Sequence, residues 1–194
     1  MTMEQDKEGQ ITSCKIDLIV ATDMKSGISK NNKIPWSIRE DYKHFSDTTT
    51  KTYVENKINA VIMGKNTWLT LPVKGLKNRL NVIVSSTLTQ NDIQNAVAET
   101  YIAKTLEEAI KLCSNVGRIF ICGGKSIYDE ALESNMLSDL YITTINHNYN
   151  CDNFINLTPQ ILSNYVISSK KTLQLNDRNT GTQFVTFTKY SKNK

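Results

Sequence analysis

The sequence predicts an α/β domain with three layers: helices on both faces of a mainly parallel central sheet, and an antiparallel hairpin at its C-terminal edge. Strand-like and helix-like stretches alternate through the first part of the chain. The stretches 15–22 and 59–64 become continuously apolar, which is typical of central strands covered on both faces. Around 165–169 and 183–190, apolar and polar residues alternate on either side of Asn179-Thr180-Gly181, which predicts the hairpin.

The length of 194 residues fits one domain. A domain of this size buries about 70% of the surface of its unfolded chain, which is enough to form a core and a cleft. Because the first ten residues are polar, we expect a disordered N-terminal tail over 1–13. A single domain should then span 14–190, followed by a C-terminal tail over 191–194.

Composition and charge indicate which binding partners and which cellular compartment to expect. The longest apolar runs, 18–21 and 60–63, are far too short for a membrane span or a signal-peptide core. A net charge of +4 comes from scattered lysines, so we expect neither a nucleic-acid nor a membrane partner. The four cysteines form no CxxC pair and the two histidines no ligand cluster, which predicts a reducing, cytoplasmic location without a metal. A monomer is expected.

The remaining elements follow from local patterns. We predict strands at 79–86, 118–122 and 140–145, a short helix from Lys65, and longer helices over 105–114 and 125–132. The polar stretch 24–33, which leads from the first strand into Pro35-Trp36, predicts a mobile flap over a site.

The first helix carries an acid where an apolar residue is expected. Ser37 and Glu40 have the spacing of a capping box, which predicts a helix that begins at Ile38. Asp41 then falls on the stripe that should face the core, and burying a carboxylate costs several kcal/mol unless a partner pairs with it. The other members of this stripe are Ile38, Tyr42, Phe45 and Thr49.

Two interpretations of Asp41 follow from the pattern. An acid in the first turn of a helix favours the helix dipole and commonly turns toward water. Alternatively, Asp41 is buried and a bound ligand pairs with it. Trp36, which Pro35 holds at the helix entrance, would form a rigid wall beside such a site and favours the second interpretation.

Three further features are candidates for anion binding. Gly123-Gly124 between a strand and a helix would let backbone N–H groups approach a phosphate, although the GxGxxG fingerprint is absent. Lys65 with Thr67 would form a second anion site, or a solvated loop. Arg79 at a strand start is suited to a carboxylate, or is a surface cap.

Together these motifs resemble the dihydrofolate reductase family over about residues 14–190. Each motif alone is modest, but their order along the chain is specific. The motifs that carry the resemblance are 18–21, 34–36, Asp41 with Phe45, 61–68, 79–81, 123–128, 140–143 and 184–190.

The resemblance implies an oxidoreductase that reduces 7,8-dihydrofolate to tetrahydrofolate. Hydride would come from NADPH as cofactor and a proton would reach N5 of the pterin. The expected partners are dihydrofolate and antifolate inhibitors, and the expected role is tetrahydrofolate biosynthesis for one-carbon metabolism and thymidylate synthesis. Because no thymidylate synthase segment follows, a monofunctional enzyme is expected.

The resemblance also assigns site residues. Asp41, Trp36 and Tyr128 match the family's catalytic positions. The substrate pocket matches Ile19, Val20, Ala21, Asp41, Tyr42, Phe45, Leu71, Leu76, Arg79 and Thr143, with Arg79 on the glutamate-tail carboxylate and Thr143 bonded to the acid. The cofactor site matches Ala21, Ile28, Lys65, Asn66, Thr67, Ser85, Ser86, Cys122, Gly123, Gly124, Lys125, Ser126, Ile127 and Tyr128.

The chain departs from the family pattern at Ser29, where glycine is usual, and at Cys122, where an aliphatic residue is usual.

Two rival interpretations stay open. A pyrimidine reductase of riboflavin synthesis would share the fold and cofactor site but not the pairing of Pro35-Trp36 with Asp41. In a catalytically idle nucleotide-binding or RNA-binding module, Asp41 would be dispensable.

Overall fold

A computed structural model describes residues 14–177 and 181–193, with only the backbone of residue 177. The predicted tail at 1–13, residue 194, and residues 178–180, which include part of the predicted hairpin turn, lie outside this range.

The structure is built on an eight-stranded sheet with the order β5-β4-β3-β6-β1-β7-β10-β9. Neighbouring strands from β5 to β7 are parallel, whereas β10 runs antiparallel to both β7 and β9. The strands are β1 (Ile16–Thr22), β3 (Asn59–Gly64), β4 (Arg79–Val84), β5 (Thr100–Ala103), β6 (Ile119–Ile121), β7 (Asp139–Ile145), β9 (Tyr165–Asp177) and β10 (Gly181–Lys192). A separate two-stranded sheet pairs β2 (Gly27–Ser29) with β8 (Asn153–Phe154).

Helices cover both faces of the large sheet because successive strand residues point to opposite sides. On β1, Leu18 and Val20 enter the core on one face and Ile19 the core on the other. Residues of α3 and α4 complete the first core, and residues of α1 and α2 pack on the second. The helices are α1 (Arg39–Thr50), α2 (Lys65–Thr70), α3 (Leu106–Leu112), α4 (Lys125–Glu133) and α5 (Pro159–Leu162), with a short 3-10 helix at Gln90–Ile93. The predicted three-layer architecture is confirmed.

The start of α1 was predicted wrongly. The helix begins at Arg39 with Ile38 as its N-cap, and no side chain caps it. Ser37 therefore lies one residue too early for its hydroxyl to cap the first turn, and the predicted capping box does not form. By contrast, Thr105 does cap α3, since its side chain accepts the N–H of Glu108 at 3.1 Å.

Other boundaries shifted as well. The stretch 24–33 contains strand β2 rather than loop alone, because β8 supplies a partner from far along the chain. β10 continues to Lys192, two residues beyond the predicted end of the domain, since Ser191 and Lys192 pair with β9. Strand β5 was not predicted.

Parallel strands bring their carboxyl ends to the same edge of the sheet, and this edge positions the site. Ala21 and Thr143 lie opposite each other there on β1 and β7. Gly64 and Val84 are paired at the ends of β3 and β4. Within the part of the chain that the structure describes, no helix is both long and apolar enough to cross a membrane.

Candidate active site

A cleft of about 800 Å³ opens at the carboxyl edge of the sheet, between α2, α4 and the β2 segment. Most residues that the resemblance assigned to the cofactor line it. They are Ala21, Ile28, Lys65, Asn66, Thr67, Ser86, Cys122, Gly124, Lys125, Ser126, Ile127 and Tyr128.

Asp41 lies in the first turn of α1 and is buried, with 8% of its surface exposed. Burial raises the pKa of its carboxyl above the usual value, and interactions with the side chains of Thr143 and Trp36 oppose that rise. No cation among residues 14–177 and 181–193 forms an ion pair with Asp41. The buried acid thus lies close to two neutral side chains, Thr143 and Trp36, that favour its charged form.

Trp36 lines the cleft and is itself buried, and it lies beside Asp41, which is not among the residues that line the cleft. Its ring packs against Tyr149 with 5.3 Å between centroids, which fixes its orientation. The indole Nε1 makes no hydrogen bond of ordinary geometry to any described residue. It nevertheless lies close enough to Asp41 to lower the pKa of that carboxyl. A buried donor without a partner is costly, so this N–H is available to a ligand or water.

Tyr128 forms the floor of the cleft from the first turns of α4. Its hydroxyl donates to the carbonyl of Ile19 at 2.9 Å, and burial raises the pKa of the phenol well above its usual value. A Cβ on Gly123 would lie only 2.7 Å from the Tyr128 ring, and Gly123 has a φ of +98°. The turn before α4 therefore requires glycine at this position.

Positive charge and free backbone N–H groups surround the cleft. Lys65, Lys104 and Lys125 line it against a single acid, Asp129, which pairs with Lys125 at 2.6 Å. The N-cap of α4 is Gly124, and no side chain caps that helix. The arrangement favours an anionic ligand such as a pyrophosphate.

Arg79 lies at the start of β4 and is also buried. Its Nε donates to the carbonyl of Lys77 at 3.0 Å and its Nη1 to the hydroxyl of Thr49 at 2.7 Å. Its guanidinium lies 6.0 Å from the centroid of the Phe45 ring. No carboxylate of the described residues lies within ion-pair distance, and burial lowers the pKa of Arg79.

Some predicted residues have other placements. Ser85 does not line the cleft, because its hydroxyl accepts the N–H groups of Thr87 and Leu88 at 3.1 and 3.0 Å in the turn after β4. Tyr42 is about half exposed, and its hydroxyl donates to the carbonyl of Trp36. Ile19, Leu71 and Leu76 belong to the core on the α1 face.

Several cleft residues were not predicted as site residues from the sequence, among them Lys104 and Asn153. Lys104 follows β5, and without that strand the sequence offered no way to place it at this edge. Asn153 lies on β8, and its Nδ2 donates to the hydroxyl of Ser29 at 3.0 Å. Ser29, where the family usually has glycine, is thus hydrogen-bonded to β8, the strand that pairs with β2.

The sequence model described as dihydrofolate reductase matches residues 15–192. The chain belongs to the dihydrofolate reductase family.

Its relatives in this family include animal and fungal proteins. A dihydrofolate reductase of Drosophila melanogaster is 34% identical over 170 residues, which cover 85% of this chain and 92% of that protein. One from Candida albicans is 37% identical over 132 residues, covering 67% of each chain. One from Gallus gallus is 35% identical over 148 residues, covering 72% of this chain and 76% of that protein.

Members of the dihydrofolate reductase family are oxidoreductases that reduce dihydrofolate and bind antifolates. As a member of the family, the chain is an oxidoreductase of this kind. The predicted family and activity are confirmed.

Proposed function

We propose that the chain catalyses the NADPH-dependent reduction of 7,8-dihydrofolate to 5,6,7,8-tetrahydrofolate in the cleft described above. The observation that carries the proposal is the buried carboxyl of Asp41, which has no cationic partner among the described residues. A pterin has an amino group and a ring nitrogen that can donate to such a carboxyl, which would supply the missing partner.

Asp41 would bind and polarise the pterin. Burial raises the pKa of this carboxyl, and the carboxyl would assist protonation at N5 through water near the Nε1 of Trp36. Thr143 orients the carboxyl from β7, and Phe45, Leu71 and Leu76 would form the apolar wall. The protein offers no nucleophile for this step; its residues align the reactants and exclude water.

The residues of the cleft fit a phosphorylated dinucleotide. The uncapped N-terminus of α4 and Lys125 suit the pyrophosphate, and Tyr128 and Ala21 would border the nicotinamide. Lys65 and Lys104, with Ser86, would hold the 2′-phosphate, and Ser85 would only shape the turn. When bound, NADPH supplies the hydride.

Arg79 would bind the carboxylate of the glutamate tail. It is a buried cation without an acidic partner in the described ranges, and its second Nη nitrogen makes no protein hydrogen bond there. Arginine is suited to this task because its planar fork binds a carboxylate through two parallel hydrogen bonds.

Purified protein with dihydrofolate and NADPH tests the proposal. We expect loss of the reduced-nicotinamide absorbance together with formation of tetrahydrofolate by chromatography. A protein that binds NADPH but reduces only an aminouracil ribitol would be a pyrimidine reductase. One that binds nucleotide and reduces neither substrate would be an idle module; either result would overturn the proposal.

A further inference from the structure

The guanidinium of Arg79 is oriented by a hydroxyl on α1. Thr49 is fully buried, and its Oγ1 accepts the Nη1–H of Arg79 at 2.7 Å. The same hydroxyl donates to the carbonyl of Phe45, also at 2.7 Å. Because a hydroxyl has a single proton, Thr49 presents only lone pairs to Arg79 and acts as its acceptor.

The sheet register holds both partners in place. Asn59 and Arg79 lie directly opposite each other on β3 and β4. The Nδ2 of Asn59 donates to the carbonyls of Thr49 at 2.9 Å and Lys51 at 2.8 Å. Neighbouring strands therefore hold one residue of α1 twice, by its carbonyl from Asn59 and by its hydroxyl from Arg79.

The same helix face carries the acid of the site. Asp41, Phe45 and Thr49 follow one another at intervals of four residues, so they lie on one stripe of α1. Eight residues of helix span about 12 Å. Asp41 and the Thr49–Arg79 pair thus lie at opposite ends of this stripe, with the Phe45 ring between them.

We propose that Thr49 is a positioning residue, which fixes the plane of the Arg79 fork for one carboxylate at the far end of the substrate. This role rests on the proposed function. It makes Thr49 a determinant of specificity for dihydropterins that carry a carboxylate tail. The Nε and one Nη1–H of Arg79 are engaged by Lys77 and Thr49, which prevents the guanidinium from rotating. The remaining N–H groups can then meet a carboxylate without first losing rotamer freedom.

Steady-state kinetics of Thr49→Val test this role, because valine keeps the branched shape and removes the hydroxyl. We expect the KM for dihydrofolate to rise about tenfold with kcat changed less than about twofold. For 6-methyl-7,8-dihydropterin, which lacks the tail, both constants should match those of the unmodified protein. Thr49→Ser should restore the KM for dihydrofolate.

Thr50→Val is the matched control. Its hydroxyl donates to the carbonyl of Ser46 at 2.8 Å on the exposed side of α1, so the loss should leave both substrates unaffected. If Thr49→Val folds poorly, Thr49→Ser and Thr49→Ala provide a second comparison, since these differ from each other only in the hydroxyl. Equal KM values for that pair would overturn the proposal.

A double-mutant cycle separates positioning from general structural support. In an Arg79→Leu background, Thr49→Val should add less than about a twofold change in the KM for dihydrofolate. A further tenfold rise there, or equal weakening of tailed and tail-less pterins, would show that Thr49 does not act through Arg79. If the unmodified protein reduces neither pterin, the proposed function itself fails, which is distinct from both results.

Discussion

Two buried aspartates show how single residues take different tasks. Burial raises the pKa of both Asp41 and Asp17, but Asp17 has a cation, Arg118, at 2.7 Å, whereas no described cation pairs with Asp41. Arg118 therefore partly offsets the cost of burying an ionised Asp17, whereas no described cation does so for Asp41. From the sequence, only Asp41 of these two could be predicted as a site residue, because it interrupts an apolar stripe on a helix.

The cofactor phosphate provides a test at one residue, Lys65. Its Nζ lines the cleft and donates to the hydroxyl of Thr87 at 2.7 Å, in the turn where Ser86 also lies. Lys65→Ala should weaken NADPH binding about tenfold or more and leave NADH binding nearly unchanged, since only NADPH has the 2′-phosphate. Fluorescence titration with each cofactor measures this.

Lys111→Ala, which removes an exposed lysine of α3 paired with Glu107, is the control and should change neither affinity. Equal loss of NADPH and NADH in Lys65→Ala would show that Lys65 positions the turn and does not recognise the phosphate.

At the scale of elements, the sequence predicted those strands and helices whose own residues carry a strong local pattern. The strands at 15–22 and 59–64, the helix at 125–132 and the C-terminal hairpin were found because their periodicity is strong. The edge strand β5 is short, and β2 exists only because β8 pairs with it across more than a hundred residues of chain, so neither could be predicted. The missed cleft residues Lys104 and Asn153 follow from these two omissions.

The turn between β6 and α4 provides a test at this scale. Gly123→Ala would place a methyl group 2.7 Å from the Tyr128 ring at a φ that L-residues rarely adopt. We expect a loss of about 2–4 kcal/mol in the free energy of unfolding, from strain and displacement of Tyr128, and weaker NADPH binding. Urea unfolding and cofactor titration measure the two effects.

Gly181→Ala is the control, since Gly181 also has a positive φ, +75°, but nothing lies within 4 Å of its added Cβ. That variant should lose only about 1 kcal/mol and keep its cofactor affinity. Equal effects of the two substitutions would mean that contact with Tyr128 is unimportant.

At the scale of the whole molecule, the binding cleft and a cluster of charged side chains lie at opposite edges of the sheet. The carboxyl edge holds the cleft, and the amino ends of β1 and β7 hold Asp17 and Asp139 around Arg118, with Lys189 joining at 2.9 Å from Asp139. The sequence predicted the first edge through its motifs. It could not predict the second, because these charges lie far apart in the chain. The monomeric state and cytoplasmic location stay predictions.

The charge cluster predicts a pH dependence of stability. Burial raises the pKa of Asp17 to about 6, with Asp139 adding to the rise and Arg118 opposing it. Between about pH 4 and 6 the folded state then holds a proton that the unfolded chain has released, so this group's contribution to stability falls as pH rises. Asp17→Asn removes that contribution.

Urea unfolding of both proteins from pH 4 to pH 7 measures it. Relative to Asp17→Asn, the unmodified protein should lose on the order of 1–3 kcal/mol across this range. The lowered pKa of Asp139 acts in the opposite direction in both proteins and largely cancels in the difference. A difference that stays constant with pH would contradict the assignment to Asp17.

The central claim is that the buried carboxyl of Asp41 promotes reduction of the pterin, and pre-steady-state hydride transfer in Asp41→Asn tests it most directly. Asparagine keeps the size and removes the ionisable acid, so the rate should fall about a hundredfold or more with a normal unfolding transition. In the unmodified protein the rate should fall as pH rises above the raised pKa of Asp41, since its proton is then lost. An Asn variant that keeps the unmodified rate at neutral pH would contradict the account.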